Sequence, residues 1–582
     1  MIRLILLGMV SVAILNLVAR GSEEAWPAQV PGWVAPVAGE HPRLLFRKSD
    51  IPALKERLKT PEGQAIIAKL RETLGNGGEA LPTEFNTRAA ANTLSGGDGS
   101  LQKEPAGMFT FSHGAGYGFL YVLTGEKKYA DLAKQCTQKV LDGQLDRDER
   151  YSWKKPGTGF RKGAVHMGLA LAYDLCYDAW DEDFRKLIVK EIQTGSEPDL
   201  QHKKPLTLET MVKANGYPPG SNHFGAYIGG TGMAMLAIQG DPGADDVRLK
   251  KVLTELDQAY VTVMTKGFGD HGWFAEGTHT GRIAANTGLL PLAIAFKNAA
   301  GKDYITPRPN VPYMILRLAS EIVPIKGKPY LLSRGPYGDT DLYGRAPMLS
   351  HSSDFAIGLG AVSPDQALGL LWVYNHFVEP GTQKNYDVFT YPHQAIFAYV
   401  FWPVGKSEKN PGDVWTKTFE DKISGYYFFR NEWKDENDIV VTGLNGTGPR
   451  GYHHVGARPL LVWGMGEQTT FGELNGTTSF YLGAKDGSGV VTCGGTSLAV
   501  DYSSAAGVEA LLVMTGPGAK PGKAGSKSKC ATVTLGTQTV HLMMFSSKGN
   551  FPEAKVESDR LLIGGQTLSL SGGNWVLEKF LK

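Results

Sequence analysis

Three short stretches of this 582-residue chain gather imidazole, amide, carboxylate and guanidinium groups among otherwise ordinary residues. The first is Ser221-Asn222-His223-Phe224-Gly225-Ala226-Tyr227, which follows Gly216-Tyr217-Pro218-Pro219-Gly220 and opens an apolar run of helical length. A helix N-terminus presents N–H groups and the positive end of the peptide dipole. Asn222 and His223 at that place suit a carboxylate ligand, and Ser221 or Asn222 suits a plain cap equally well. The second runs from Gly269 to Arg282 and holds Asp270, His271, Trp273, Glu276, His279 and Arg282. A connecting segment so dense in these types reads as a site rather than a scaffold. The third is Gly451-Tyr452-His453-His454-Val455-Gly456, ahead of a strand-like run. Neighbouring residues of a strand face opposite sides, so only one of the two His enters a given cleft. Zinc takes three or four ligands, and no acid follows His454 within the next six residues.

The elements that must position these groups change character once along the chain. From Ser49, which caps a first helix, to about residue 402, apolar stretches of helical length alternate with Gly/Pro loops. They include 114–124, 129–142, 163–180, 183–195, 223–239, 246–265, 283–299, 311–322, 365–377 and 391–401. With no strands interleaved, the pattern predicts paired helices in a bundle or toroid. Beyond a polar, turn-forming segment at 406–414 come short apolar or alternating runs. These are Gly425–Arg430, Ile439–Thr442, Leu460–Trp463, Thr478–Leu482, Ala510–Met514, Ala531–Leu535 and Val540–Phe545. They predict an antiparallel β region of sandwich type. Residues 516–528 read as a basic, solvated loop.

Composition bounds the function. Lys+Arg 60 against Asp+Glu 58 leaves +2, which excludes a nucleic-acid binder working by bulk charge. The 42% hydrophobic and 20% charged content excludes wholesale disorder. Met1-Ile-Arg, the apolar run Leu4–Val18 and Ala19-Arg20-Gly21 form a secretory signal peptide over residues 1–21, too short for a membrane span. The mature chain is then secreted or periplasmic, with no membrane span. Residues 22–40 read as a linker, 41–405 as the helical domain and 406–582 as the β domain. Export permits disulfides. The cysteines fall into two local pairs, Cys136 with Cys176 and Cys493 with Cys530, readable as bridges or as buried thiols.

Several pieces in order resemble the heparinase II/III-like polysaccharide lyases, a family that includes oligoalginate lyases. His41-Pro-Arg-Leu-Leu-Phe-Arg-Lys-Ser-Asp-Ile-Pro-Ala-Leu-Lys is similar to the opening of that family's helical domain. Asn222-His223 resembles its Asn-His pair. Ser424-Gly-Tyr-Tyr-Phe-Phe-Arg430-Asn-Glu-Trp433, with Asn437-Asp438, resembles its first β strands, and His453-His454 before Leu460-Leu-Val-Trp its strand with a catalytic His. The resemblance implies an incomplete (α/α) toroid followed by an antiparallel β-sandwich, with the cleft between them. It also implies β-elimination on a uronic-acid-containing polysaccharide or oligosaccharide. Asn222 and His223 would neutralise the sugar carboxylate, and His454, or His453 in its place, would be the second imidazole. No cofactor is required.

The chain departs from the family at one point. At the family's spacing from Asn222 and His223 it reads Glu276-Gly277-Thr278-His279-Thr280, with no Tyr. His279 is the first choice for the acid/base, because imidazole works near neutral pH. A displaced Tyr (Tyr217, Tyr227, Tyr337, Tyr343 or Tyr452) is the second, and a fold that has lost this chemistry the third. Val455-Gly456-Ala457-Arg458 replaces the acidic neighbourhood of the family's zinc and argues against that metal. Arg282, Arg334, Arg345 and Arg458 suit further acidic groups. Trp153, Trp273 and Tyr337 suit sugar rings, and Tyr217, Glu276, Tyr452 and His453 complete the expected substrate contacts. Two rival readings remain: a glycoside hydrolase using Asp270 with Glu276, and a non-catalytic acidic-glycan binder that kept the fold.

Overall fold

The computed structural model describes residues 25–83, 107–332, 354–448, 451, 458–558, 560–571 and 574–577. For His279 and Arg458 the description extends to the backbone only. The signal-peptide reading of residues 1–21 lies outside it. So do Arg334, Tyr337, Tyr343, Arg345, Tyr452, His453 and His454.

Helices dominate up to residue 414. The longer ones are α1 Pro61–Leu74, α2 His113–Thr124, α3 Lys127–Leu141, α4 Gly159–Cys176, α5 Glu182–Thr194, α6 Asn222–Ile238, α7 Asp246–Lys266, α8 Thr278–Ala284, α9 Leu290–Ala300, α10 Asn310–Glu321, α11 Pro364–Val373 and α12 Pro392–Phe401. Their sequences sort them into two layers. In α4 every residue but Arg161 is buried, and in α6 every residue but His223. A helix apolar all round belongs in an interior. By contrast α5 and α7 bury one stripe and turn their charges outward. Glycines let the inner helices touch. A Cβ at Gly163 would collide with the Ala226 carbonyl, and one at Gly230 with the Gly163 carbonyl. A Cβ at Gly229 would collide with Gly288, in a π-helical turn at Ala285–Leu289, and Gly225 packs tightly on Ala284. With His166 Nδ1 also 3.1 Å from the Thr231 hydroxyl, the paired positions rise together along the chain, so α4, α6 and α8 run parallel. Their N-termini, and the loops that lead into them, therefore gather at one end.

The strands lie mostly beyond residue 417. A five-stranded antiparallel sheet contains β1 Thr418–Asp421, β2 Tyr426–Arg430, β3 Val440–Leu444, β4 Arg458–Gly464 and β5 Glu467–Glu473 in sequence order. A six-stranded sheet has the order β6-β7-β8-β9-β11-β10, from β6 Thr478–Gly483, β7 Gly489–Cys493, β8 Thr496–Asp501, β9 Ala510–Thr515, β10 Ser528–Leu535 and β11 Gln538–Phe545. A four-stranded meander follows with β12 Ala554–Glu557, β13 Arg560–Ile563, β14 Gln566–Ser571 and β15 Asn574–Leu577. Alternation along β2 sets the layers. Tyr427 and Phe429 enter a core shared with Val491, Leu512 and Phe545 of the six-stranded sheet. Tyr426 and Phe428 face the other way, into a core shared with Trp273 and Val323 of the helical part. Each large side chain so buried contributes roughly 1.5–3 kcal/mol. Arg430, fully buried, pins the seam. Its guanidinium donates to the carbonyls of Ser320 and Ile322 and pairs with Asp438.

The helical part is not free of strands, contrary to expectation. Ile322–Ile325 and Lys328–Leu331 form a hairpin, its turn made by Lys326 and Gly327 at positive φ. Ala28–Gln29 pairs with Lys302–Asp303. The stretch read as a linker is fastened down there: Trp26 Nε1 donates to the Tyr304 carbonyl and Trp33 Nε1 to that of Asn298. All four cysteines are free thiols, three of them buried.

Candidate active site

The N-terminus of α6 opens onto a cavity of about 460 Å³, lined in part by His202, Tyr217, Asn222, His223 and Glu276. The only residue of α6 that is not buried, His223, stands at its mouth. The tyrosine ring of Tyr217 stacks on the imidazole of His223, centroids 4.4 Å apart at 20°. Phe160 of α4 backs the same imidazole at 5.6 Å.

The helix end is already served. Ser221 caps α6, its hydroxyl accepting from the His223 N–H at 3.4 Å. Glu276, buried, accepts the Asn222 N–H at 2.9 Å. The backbone N–H groups of Asn222 and His223 are thus taken up by partners within the chain. The cap reading of this stretch holds, with Ser221 as the capping residue.

The β part reaches this place. A Cβ built on Gly451 would collide with the Gly220 carbonyl and with Cγ of Glu276. The residue directly before Tyr452-His453-His454 thus lies against the cavity wall.

The second polar stretch divides between two jobs. Glu276 faces the cavity, whereas Asp270 belongs to the seam with the β part. Asp270 Oδ1 accepts the Lys422 N–H at 2.9 Å. Asp421 accepts the N–H groups of His271 and Trp273 at 2.9 and 3.1 Å. Asp270 and Glu276 are not assembled as a hydrolytic pair, because only Glu276 lines the cavity. Trp273 is 2% exposed, stacks on Tyr426 at 4.9 Å and carries the Arg317 guanidinium above its ring. It is a seam residue and presents no ring face to a sugar. Arg282 is buried and held by Asp354 through Nε and Nη2, with Asn286 on the same carboxylate. Trp153 is fully buried, its Nε1 on Glu191. These three were legible by residue type, but type does not say which way a side chain faces. Among the alternative tyrosines, Tyr227 is buried and its hydroxyl accepts the Gly159 N–H at 3.0 Å, so it secures α4 to α6. Among the described residues, Tyr217 is the alternative tyrosine that lines the cavity.

Gln201, His202, Lys204 and Asn215, which line the cavity, went unnoticed in the sequence, as did Asp199, whose carboxylate lies 3.1 Å from His202 Nδ1. Those from Asp199 to Lys204 sit in a polar turn without periodicity. The only local signal is an Asp three positions before a His. Among the described residues no three His, Cys, Asp or Glu side chains cluster as metal ligands do, and no helix is long and apolar enough to cross a membrane.

No family model matches the chain, and no curated protein matches it. Among solved structures it is similar to a heparan sulfate lyase from Pedobacter heparinus, with 12% identity over 91% of this chain and 93% of that one and a TM-score of 0.40. It is similar to a heparinase III, with 11% identity over 88% and 90% and a TM-score of 0.37. It is also similar to a chondroitin AC lyase from Streptomyces coelicolor A3 in complex with chondroitin sulphate, with 10% identity over 90% and 76% and a TM-score of 0.39. Likenesses this distant carry neither an activity nor a substrate over to this chain.

Proposed function

We propose that this protein is a secreted or periplasmic polysaccharide lyase that cleaves a uronic-acid-containing polymer by β-elimination. In this reading the helices of 41–405 form an incomplete (α/α) toroid, and the strands of 406–582 form an antiparallel β-sandwich against it. The observation that carries the reading is the cavity itself. An amide, an imidazole and a phenol converge there, and Gly451 brings the chain leading to His453 and His454 to the same wall.

The chemistry needs this set of groups. The C5 proton of a uronic acid lies beside a carboxylate, so its removal makes a dianion-like enolate. Asn222 and His223 share that charge through donors already held in place by the α6 terminus, which lowers the barrier. A base must take the proton and an acid must protonate the departing O4. His454 is the proposed second imidazole. His279, in the first turn of α8, is the proposed acid/base by position, and a second candidate follows in the next subsection. Tyr337, Tyr452, His453 and Arg458 remain proposed substrate contacts.

The test is a panel of alginates, glycosaminoglycans, pectins and ulvans, followed by near-ultraviolet absorbance and by reducing ends. Both signals rising establishes a lyase. Reducing ends alone establish a hydrolase, and retention on an acidic-glycan column with neither establishes a binding protein. On a cleaved substrate, His223→Ala is expected to lower kcat/KM by about 100-fold or more, the usual worth of a preorganised charge-stabilising donor. Unchanged activity in that variant removes His223 from the site.

A further inference from the structure

The cavity wall carries a constellation that the sequence does not announce. Tyr217 Oη lies 3.1 Å from His202 Nε2. His202 Nδ1 lies 3.1 Å from Asp199 Oδ1. The Asp199 side chain is fully buried, and that of His202 is 31% exposed toward the cavity. A buried carboxylate fixes Nδ1–H of the imidazole and leaves Nε2 to accept, here from the Tyr217 hydroxyl. The order carboxylate, imidazole, hydroxyl, cavity is that of a proton relay.

The turn that carries Asp199 and His202 is built rather than loose. Glu197 is tied to the fully buried ammonium of Lys162 at 2.9 Å. Pro198 and Pro205 form an antiparallel bridge, and the Asp199 N–H donates to the Lys204 carbonyl at 3.1 Å. Leu200 and Gln201 donate to the carbonyls of Pro156 and Gly157 in the loop leading into α4. Asp199 also accepts the His202 N–H. Placing a carboxylate out of water costs free energy that a simple surface turn has no need to incur. The far side of the Tyr217 ring stacks on His223, so the phenol and the proposed carboxylate-holding imidazole are neighbours.

We propose that Asp199 and His202 form a proton relay behind Tyr217, and that Tyr217 is the group that exchanges protons with the sugar. This rests on the lyase reading above. Tyr217 Oη passes its proton to His202 Nε2 as it takes the C5 proton. The C5–H electron pair becomes the C4–C5 double bond, and the C4–O4 bond breaks with its pair on O4. Tyr217 then protonates O4 and recovers a proton from His202. One chain becomes two, and neither water nor a redox partner is consumed. Tyr217 is the catalytic residue, and His202 and Asp199 are positioning residues.

Kinetics of the full chain on a cleaved polymer, from about pH 5 to about pH 10, test the assignment. Tyr217→Phe is expected to lower kcat at least about 100-fold. His202→Gln and Asp199→Asn are expected to lower it about 10- to 100-fold with KM within about threefold. Both should also move the pH optimum upward, because a phenol without its imidazole acceptor releases its proton only near its own range. An unmoved optimum with kcat and KM changed together, or Tyr217→Phe within about threefold of wild type, overturns the proposal. Nitrogen-15 NMR of the full chain reads the relay without substrate. His202 Nε2 should be the non-protonated ring nitrogen, with a resonance that moves in Tyr217→Phe. The opposite tautomer, or no response, overturns the relay. If Asp199→Asn does not fold, His202→Gln and the NMR measurement still decide. A wild-type protein that yields no unsaturated product on any panel member overturns the lyase reading instead, and the NMR result then decides separately whether the relay exists.

Discussion

Glu276 sets the electrostatics of the cavity against the ligand proposed for it. Its carboxylate holds the Asn222 N–H at 2.9 Å and thereby fixes the first turn of α6. It also places a negative charge where a sugar carboxylate is expected. Glu276→Gln keeps an acceptor for Asn222 N–H and removes the charge. The expected outcome is a KM for an anionic polymer lowered about 3- to 10-fold, the worth of ~1 kcal/mol, with the melting temperature held. Glu276→Ala leaves the N–H unmatched and is expected to lower the melting temperature as well. Asn222 and His223 are legible in the sequence because they interrupt the start of an apolar helix, where a polar pair has no packing role. Asp199 and His202 are not legible. Their partner Tyr217 comes 15 positions later, across a short helix and a positive-φ turn at Ala214-Asn215-Gly216.

At the scale of elements, the site depends on how closely α4 and α6 approach. Arg161 and His223 are the only residues that the two helices leave unburied, and both lie in the first turns. Gly230 sits where a methyl would collide with the Gly163 carbonyl, an atom of backbone that cannot swing aside. Gly230→Ala is expected to destabilise the protein by at least about 1–3 kcal/mol, read as a lower urea midpoint with an unchanged slope. Most helix positions were legible because all-apolar inner helices and amphipathic outer ones give distinct patterns. The strands were half legible. β2, β9 and β11 carry continuous apolar runs. β7 and β8 were missed although Gly494-Gly495 joins them, because Gly489 and the Thr/Ser pairs dilute the run. The C-terminal meander was missed because β12 is largely exposed and carries no alternation. Its neighbours were lost with it.

For the molecule as a whole, the decisive contact is the seam between the helical part and the five-stranded sheet, since the proposed site draws on both. Its electrostatic centre is a carboxyl pair. Asp421 accepts from His271, Trp273 and Ser424 N–H groups, and Asp270 accepts from Lys422 N–H, with His271 3.5 Å from Asp270. Burial and the adjacent Asp270 push Asp421 up to about 7, from an ordinary value of 3.8. The folded chain thus keeps a proton that the unfolded chain has lost above pH 4 or so. Where the folded state binds the extra proton, stability falls as pH rises. The contribution is complete below the unfolded value and disappears as pH passes through about 7. Asp146, pushed up to about 7 by burial elsewhere, adds a decline of the same sign. The difference between wild type and Asp270→Asn isolates the seam. An amide at position 270 keeps its acceptor for Lys422, lacks the repelling charge and can donate to Asp421. Burial still raises Asp421 in that variant, but without the Asp270 charge the carboxyl holds its proton less tightly and the seam loses less with rising pH. The urea midpoint of wild type should therefore fall more steeply than that of Asp270→Asn across the window from about pH 4 to about pH 7, at constant ionic strength. Two curves that stay parallel through the window would show that no proton is shared there.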